Sequence, residues 1–371
     1  MSLSESYNPA QESTAYLLLN LGTPDSPKKK DVRKYLDEFL MDPYVVDIPF
    51  LFRFLLVKGI ILRTRPKKSA EAYAKIWTER GSPLKYHLED LTEKVKKVLG
   101  PNVFYGMRYG KPSLKRVLKN IFANEKIKNL KILALYPQWA WASQGSMESH
   151  YNELVKEGEI DPLSQGVKVE WIRPFYNHPD FISLWASQLK KQIEEQALRG
   201  YPFDQVLMSF HGIPERQLGH PSKEAFEACL KIENCCEKAP SQVLEKCYRA
   251  QCFKTAELIA HKVGLARNQW TVSFQSRLGR TPWLKPFTDV WLTEQKKNPF
   301  GYKNIIVVSA SFVADCLETL EELAIRAKED FESPVHKGDS TQRQLSLVPS
   351  LNSQDPWAQA VAKILVSENP A

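Results

Sequence analysis

The feature that most constrains this chain is a recurring pattern. Short, largely apolar runs of four to seven residues are each followed by a longer stretch, usually amphipathic. The first run is AYLLLNL, Ala15–Leu21, and it ends on the breaker cluster Gly22-Thr23-Pro24-Asp25. It lacks the alternation of a half-exposed strand, so it reads as a strand buried on both faces, the kind a parallel sheet requires. Similar runs recur at Val103–Met107, Leu130–Leu135, Val167–Ile172, Gln205–Phe210, Thr271–Phe274 and Ile305–Val308. Helical periodicity appears at Lys29–Leu40, Leu88–Val98, Ser183–Gln196 and Ala250–Val263. Buried strands alternating with helices predict an α/β fold with parallel sheets. The pattern fills both halves, and 371 residues exceed one ordinary core. The expectation is two doubly wound, Rossmann-like domains facing each other across a cleft, with ligands at the carboxyl ends of the strands. The expected division assigns 14–165 and 345–371 to the first domain. The second takes 166–344 and carries an insert at 217–252. Ser333–Thr341 reads as a surface loop, and no internal repeat is legible.

The formal net charge is +8, but the basic residues are spread along the chain without a nucleic-acid-binding motif. That argues against nucleic acid as a partner. Met1–Thr14 is polar, and no run of 18 apolar residues occurs, so the expectation is a cytoplasmic protein without a leader or a membrane span. The apolar segment Ile48–Leu62, IPFLFRFLLVKGIIL, is too short to span a bilayer. It is either a buried core helix or an apolar lip that holds a flat ligand or rests on a membrane, with Arg53 and Lys58 meeting lipid phosphates.

Several side chains fall where strand ends should be. His211 follows the run Gln205–Phe210, and Gly212 and Pro214 turn the chain after it. An imidazole there suits proton transfer, and a structural loop histidine is the alternative. Asp315, Glu318 and Glu322 share one face of an α-helix over Asp315–Lys328, with Asp315 suited to cap it. Such a carboxylate row handles a divalent cation or protons, or is simply a solvated face. On α-helical spacing Glu321 falls about 90° off that face, so Glu321→Gln is expected to be nearly silent. Arg108 and Arg277 follow strands and could each clamp a carboxylate or pair with a structural acid. Trp139, Trp141 and Trp283 offer aromatic area suited to a planar ligand or a core.

Five of the six cysteines lie between Cys229 and Cys252, spaced Cys229-x5-Cys235-Cys236-x10-Cys247-x4-Cys252. In a reducing compartment this clustering points to metal rather than disulfides. Without CxxC knuckles, four thiolates fit a 2Fe-2S cluster; zinc and free thiols are the alternatives. Adjacent Cys235 and Cys236 point in different directions on most backbones. The expected ligands are therefore Cys229, Cys236, Cys247 and Cys252, with Cys235 spare.

Taken together, the segments YLLLNLGTP (Tyr16–Pro24), GSPL (Gly81–Leu84), GMRYG (Gly106–Gly110), LYPQ (Leu135–Gln138), SFHGIPER (Ser209–Arg216), FQSRLGRTPWL (Phe274–Leu284), ADCLETLEE (Ala314–Glu322) and SLN (Ser350–Asn352) resemble the ferrochelatase family. The resemblance implies an enzyme that inserts Fe2+ into protoporphyrin IX or coproporphyrin III, held between two Rossmann-like domains. It implies His211 and Glu318 as catalytic and iron-meeting residues, with Asp315 and Glu322 in an acidic row behind them. Leu21, Arg65, Arg108, Tyr109 and Trp283 match the porphyrin pocket, Leu21 resembling the protoporphyrin-using type. Ile48–Leu62 matches the porphyrin-side lip, and its apolar character adds the expectation of peripheral contact at the inner face of the membrane. Animal members hold a 2Fe-2S cluster with a cysteine shortly after YPQ and three in a C-terminal extension. Here Trp141 stands at the first position and no cysteine follows Cys316. The insert resembles a cysteine-rich segment of some bacterial members, which implies a differently held cluster. A chelatase for another metal such as cobalt, and a non-catalytic tetrapyrrole carrier, remain the alternatives.

Overall fold

The computed structural model describes residues 13–218, 229, 235–238, 246–279 and 281–367. The long buried run forms β1 (Thr14–Gly22) at the centre of a parallel sheet. β2 (Val103–Tyr109) and β3 (Asn129–Ala134) flank it, and β4 (Lys168–Trp171) closes one edge, giving the order β2-β1-β3-β4. The second sheet repeats this plan: β5 (Gln205–His211) is central, flanked by β6 (Trp270–Gln275) and β7 (Asn304–Val308). β8 (Gln344–Leu347) lies beyond β7, giving β6-β5-β7-β8. The repeat absent from the sequence is thus present in the topology. Leu17, Leu18 and Leu19 in β1 and Val206, Leu207 and Met208 in β5 expose no surface, as strands covered on both faces must.

The two α/β units exchange chain later than expected. β4 lies beyond residue 165 yet belongs to the first sheet, and β8 belongs to the second. Helices cover both sheets: α1 (Lys29–Leu40), α2 (Phe50–Phe54), α3 (Leu62–Ile76), α4 (Pro83–Leu99), α5 (Leu114–Phe122), α6 (Ser146–Lys156), α7 (Pro179–Leu198), α8 (Tyr248–Val263), α9 (Thr288–Lys297), α10 (Lys328–Glu332) and α11 (Asp355–Val366). The C-terminal α11 returns to pack on α4, where Lys94 pairs with Asp355 and donates to the Ser353 carbonyl at 2.6 Å.

Among the described residues, three segments wind as π-helix: Leu55–Ile61, Trp141–Gly145 and Glu318–Ala327. Such wide turns cost hydrogen-bond geometry and gather at functional sites. In each sheet the chain runs from the central strand to one neighbour, then crosses to the other. That topological switch opens a crevice at the strands' carboxyl ends. β1 ends there on Gly22, whose φ of +119° and closeness to the Tyr109 carbonyl exclude any side chain: a Cβ would lie 1.9 Å from that oxygen.

Candidate active site

His211 is the last residue of β5, half-buried at the switch point of the second sheet. Its N–H donates to Ser311 Oγ at 3.1 Å, and its carbonyl accepts from the Tyr248 hydroxyl at 2.8 Å. Nδ1 lies 2.6 Å from the Gly212 carbonyl oxygen. A carbonyl only accepts, so Nδ1 carries the hydrogen, and the neutral ring keeps its lone pair on Nε2. Gly212 permits the tight approach after β5, because a Cβ there would stand 2.9 Å from the Gln275 carbonyl.

The acidic row lies on the π-helical segment Glu318–Ala327 rather than on an α-helix. Gln275 donates to the Glu318 carbonyl at 3.0 Å, fastening the start of that segment to β6. Glu322 accepts from the Ser276 hydroxyl; Ser276 holds a left-handed φ of 59° to do so. Burial first, then the charge of Glu318, push the Glu322 carboxyl above its ordinary range, while Ser276, His211 and Arg326 pull it down. Glu322 thus lies within electrostatic reach of both Glu318 and His211.

Asp315 and Glu321 have other employment. Asp315 receives Asn352 Nδ2 at 2.8 Å and returns its own N–H to Asn352 Oδ1, and Thr319 also donates to it. This joins ADCLETLEE to SLN and makes Asp315 a structural cap. Glu321 was expected off the working face, where substitution is silent. Instead it is buried, accepting from Arg326 at 3.1 Å and pairing with Lys75 of α3 at 3.4 Å. A position about 90° off that face is not thereby solvated: here it faces Lys75 of α3 and Arg326.

Near Glu318 stand three tyrosines that sequence reasoning missed: Tyr73, buried on α3, and Tyr35 on α1 and Tyr136 after β3, both half-buried. Burial, with the nearby Glu318 and Cys316 groups adding to it, raises all three phenols. Tyr136 donates to Asn20 Oδ1 at 2.5 Å, and Tyr35 to the Gly22 carbonyl at 3.2 Å. Cys316 is buried beside Glu318 and shares a hydrogen bond with its carboxylate; burial is the main cause of its raised thiol pKa. The only advance signal was the LYPQ motif for Tyr136. Tyr35 and Tyr73 lie in ordinary helical sequence.

The expected pocket residues divide. Leu21, the penultimate residue of β1, is half-buried, its N–H on Asn20 Oδ1 at 2.8 Å. Trp283 bridges Pro214 and donates from Nε1 to the Leu278 carbonyl at 2.9 Å, standing beside the His211 turn. Arg65 is exposed on α3. Arg108 and Tyr109 both point at buried Asp42, at 2.7 and 2.8 Å, with Ser146 closing the network at 2.6 Å. Their polar ends are thus committed to a protein carboxylate. Arg277, the other candidate clamp, forms a bidentate pair with Asp289.

The lip is not a core helix. Phe50, Leu51 and Phe52 are 65, 62 and 64% exposed, and Leu55 and Ile60 are also open to solvent, while Val57 and Leu62 face the core. Arg53 is not placed to meet lipid phosphates as expected: it is buried and donates to the Val46 and Ile48 carbonyls. Lys58 pairs with Asp37. Arg216, five residues after His211, forms a bidentate pair with Asp47 at the base of the lip. Burial works to raise the Asp47 carboxyl, but hydrogen bonds from Arg216 and Gln217 hold it below its ordinary value.

Among the described residues, no three His, Cys, Asp or Glu side chains converge on a site for a single metal ion. The thiols nonetheless gather in pairs. Cys235 and Cys236 place their sulfurs 4.0 Å apart, with Arg249 donating to Cys236 at 2.8 Å. Cys229 shares a hydrogen bond with Cys247. That bond, outweighing burial and aided by the N–H groups of Ala250 and Arg249, pulls the Cys247 thiol down to about 7. Cys252, expected among the ligands, is fully buried on α8 and hydrogen-bonds with Tyr248. Trp141, at the animal cluster position, stacks on Tyr44. Most of the insert, including 219–228 and 239–245, lies outside the described residues.

Two α/β units of the same topology, with a histidine at a switch point and carboxylates close to it, define the chelatase class of protein. The fold resembles that of SirB from Bacillus subtilis with Fe3+ (TM-score 0.51, 9% identity, 95% of this chain and 96% of that one covered). The ferrochelatase family model matches residues 13–369. Curated ferrochelatases of Stutzerimonas stutzeri and Azotobacter vinelandii are 41% and 40% identical, each covering 94% of this chain and 96% and 97% of their own. That of Ectopseudomonas mendocina is 40% identical over 96% of this chain and 98% of its own. The chain belongs to the ferrochelatase family. It is a lyase that inserts Fe2+ into a porphyrin to make haem.

Proposed function

We propose that His211 is the base of this reaction and that Glu318 and Glu322 form the acidic path beside it. Metallation replaces two pyrrole N–H protons with one Fe2+, so two protons must leave. The supporting observation is an Nδ1 held by Gly212 that leaves Nε2 to accept, combined with Glu322 lying within electrostatic reach of both His211 and Glu318. A planar ring hides its nitrogens, so the enzyme must bend it at a cost offset by remote contacts. Leu21, Trp283 and the lip supply such contacts in this reading. Arg65 stays a candidate for a propionate, whereas Arg108 and Tyr109 act through Asp42. The apolar lip favours protoporphyrin IX, with two vinyl groups, over coproporphyrin III, which replaces them with charged propionates. Anaerobic metallation of both porphyrins by wild type and His211→Ala tests the whole assignment. Comparable turnover of the variant removes His211 from its role, and preference for coproporphyrin III removes the substrate reading.

The thiol pairs support a structural 2Fe-2S cluster. Two tetrahedral sulfurs at about 2.3 Å from one metal stand about 3.8 Å apart, close to the Cys235–Cys236 separation. Cys229 with Cys247 forms the second pair, and Arg249 and the amino end of α8 balance negative charge. This reading takes Cys235 in place of Cys252. When bound, the cluster supplies folding free energy, since metallation moves no electrons. Red-brown protein bleached by dithionite is the expected result; stoichiometric zinc or no metal refutes it.

The exposed lip supports peripheral membrane contact. No helix among the described residues is long and apolar enough to cross a membrane. An apolar lip that dips into the headgroup boundary suits a substrate that dissolves in lipid.

A further inference from the structure

The thiol pocket and the catalytic histidine are joined by a single residue. Tyr248 is the first residue of α8, immediately after Cys247. Its hydroxyl donates to the His211 carbonyl at 2.8 Å. Ser311 holds the N–H of the same residue at 3.1 Å, and its own hydrogen bond with Tyr248 closes the grip around the His211 backbone. The Nδ1 contact at 2.6 Å depends on the next carbonyl, that of Gly212. A shift of the 211–212 peptide carries Gly212 with it, and so the carbonyl that holds the imidazole. The connection is also packed: Cys236, Cys247, Tyr248 and Cys252 belong to the same hydrophobic core as Phe210 and Ile213, on either side of His211. The ring that buttresses His211 thus rides on the helix end that carries a pocket thiol.

We propose that Tyr248 is a positioning residue that transmits the state of the thiol pocket to His211. With Cys229, Cys235, Cys236 and Cys247 drawn onto metal, the first turn of α8 is pinned and the hydroxyl holds the 211–212 peptide in register. With the pocket open, the turn loosens and so does the imidazole. The transmission rests on the cluster reading above; the grip of Tyr248 on His211 does not. It gives a non-redox cluster an influence on catalysis through geometry alone.

The test is Tyr248→Phe in the full-length enzyme, purified anaerobically. The ring stays and one hydroxyl goes, so iron content, visible absorbance and Tm should match wild type. Losing one hydrogen bond at this position should lower kcat about 3- to 10-fold, with KM for porphyrin within about twofold. Cys247→Ser should lose the visible absorbance and lower kcat. Adding Tyr248→Phe to it should cost no further activity, because the link is already cut. Multiplying losses in the double variant would overturn the transmission, and wild-type kcat in Tyr248→Phe would overturn the positioning role. If Cys247→Ser does not fold, the wild-type protein stripped of its cluster by chelator and oxidant takes its place. The amide of His211 should then exchange with deuterium faster than in the intact protein, and unchanged exchange overturns the transmission. A wild type that binds no iron overturns the cluster and the transmission together, and kcat of Tyr248→Phe then decides the positioning role alone.

Discussion

The Nδ1 of His211 lies 2.6 Å from the carbonyl oxygen of the next residue, Gly212. A side chain bonded to its own turn is fixed in tautomer and direction at once, and a neutral imidazole so held presents Nε2 as a base. Replacing His211 by Ala should leave the fold intact, because the ring is half-buried and its backbone bonds to Ser311 and Tyr248 remain. Iron insertion should fall by roughly 10²–10⁴-fold, the range for a lost general base. Anaerobic turnover with circular dichroism as a fold check measures both.

The acidic segment separates by role. Glu318→Gln should reduce turnover by about 10²-fold or more with little change in Tm. Glu321→Gln should do the reverse. It strips the charge from a buried acceptor that ties Arg326 and Lys75 together, a loss on the order of 1–3 kcal/mol. Tm should drop by several degrees while kcat per folded molecule stays near wild type. Paired calorimetry and kinetics decide it, and equal kinetic losses at both positions would contradict the geometry.

This contrast marks where the sequence stopped being legible. β1 and β5 could be read because strands buried on both faces must be continuously apolar, and the glycines after them mark the turns. β8, QLSL, is four residues long and mixes polar with apolar, so nothing set it apart from a loop. His211 and Glu318 were visible through motifs at strand ends. The π-winding was not, since residue spacing was read on α-helical geometry, and neither was the burial of Glu321, whose partner Lys75 lies 246 positions away. Asp42 was invisible for another reason. Its place between Arg108, Tyr109 and Ser146 arises from packing between residues up to 104 positions apart. No local pattern records that.

Glu322 predicts a pH dependence of stability. Burial, then the charge of Glu318, raises its carboxyl above the ordinary 4.5. A group raised in the folded state binds its proton more tightly folded than unfolded, so the protonated form contributes stability. That contribution is complete below pH 4.5 and is lost as pH rises through the raised folded value. Glu322→Gln, a permanent mimic of the protonated acid, should not lose it. The Tm of wild type should therefore fall relative to that of the variant from pH 4.5 upward. Parallel curves across that window would mean that Glu322 is not perturbed.

The lip offers a test in which neighbouring residues must behave oppositely. Phe50 and Leu51 are exposed, whereas Val57, one to two turns on, is completely buried. Full burial of such side chains gives about 1.5–3 kcal/mol each, and dipping partway into a bilayer gives roughly half. Changing Phe50 and Leu51 together to Ser should therefore weaken partitioning onto liposomes about 10- to 100-fold. It should also raise KM for protoporphyrin while leaving Tm unchanged, since neither residue supports the core. Val57→Ser should instead lower Tm, because it places a hydroxyl among Leu40, Leu62 and their neighbours. Liposome sedimentation of the Phe50/Leu51 double variant is the decisive measurement. Unchanged partitioning would show that these rings serve the porphyrin alone, and unchanged KM as well would leave their exposure without a function in this enzyme.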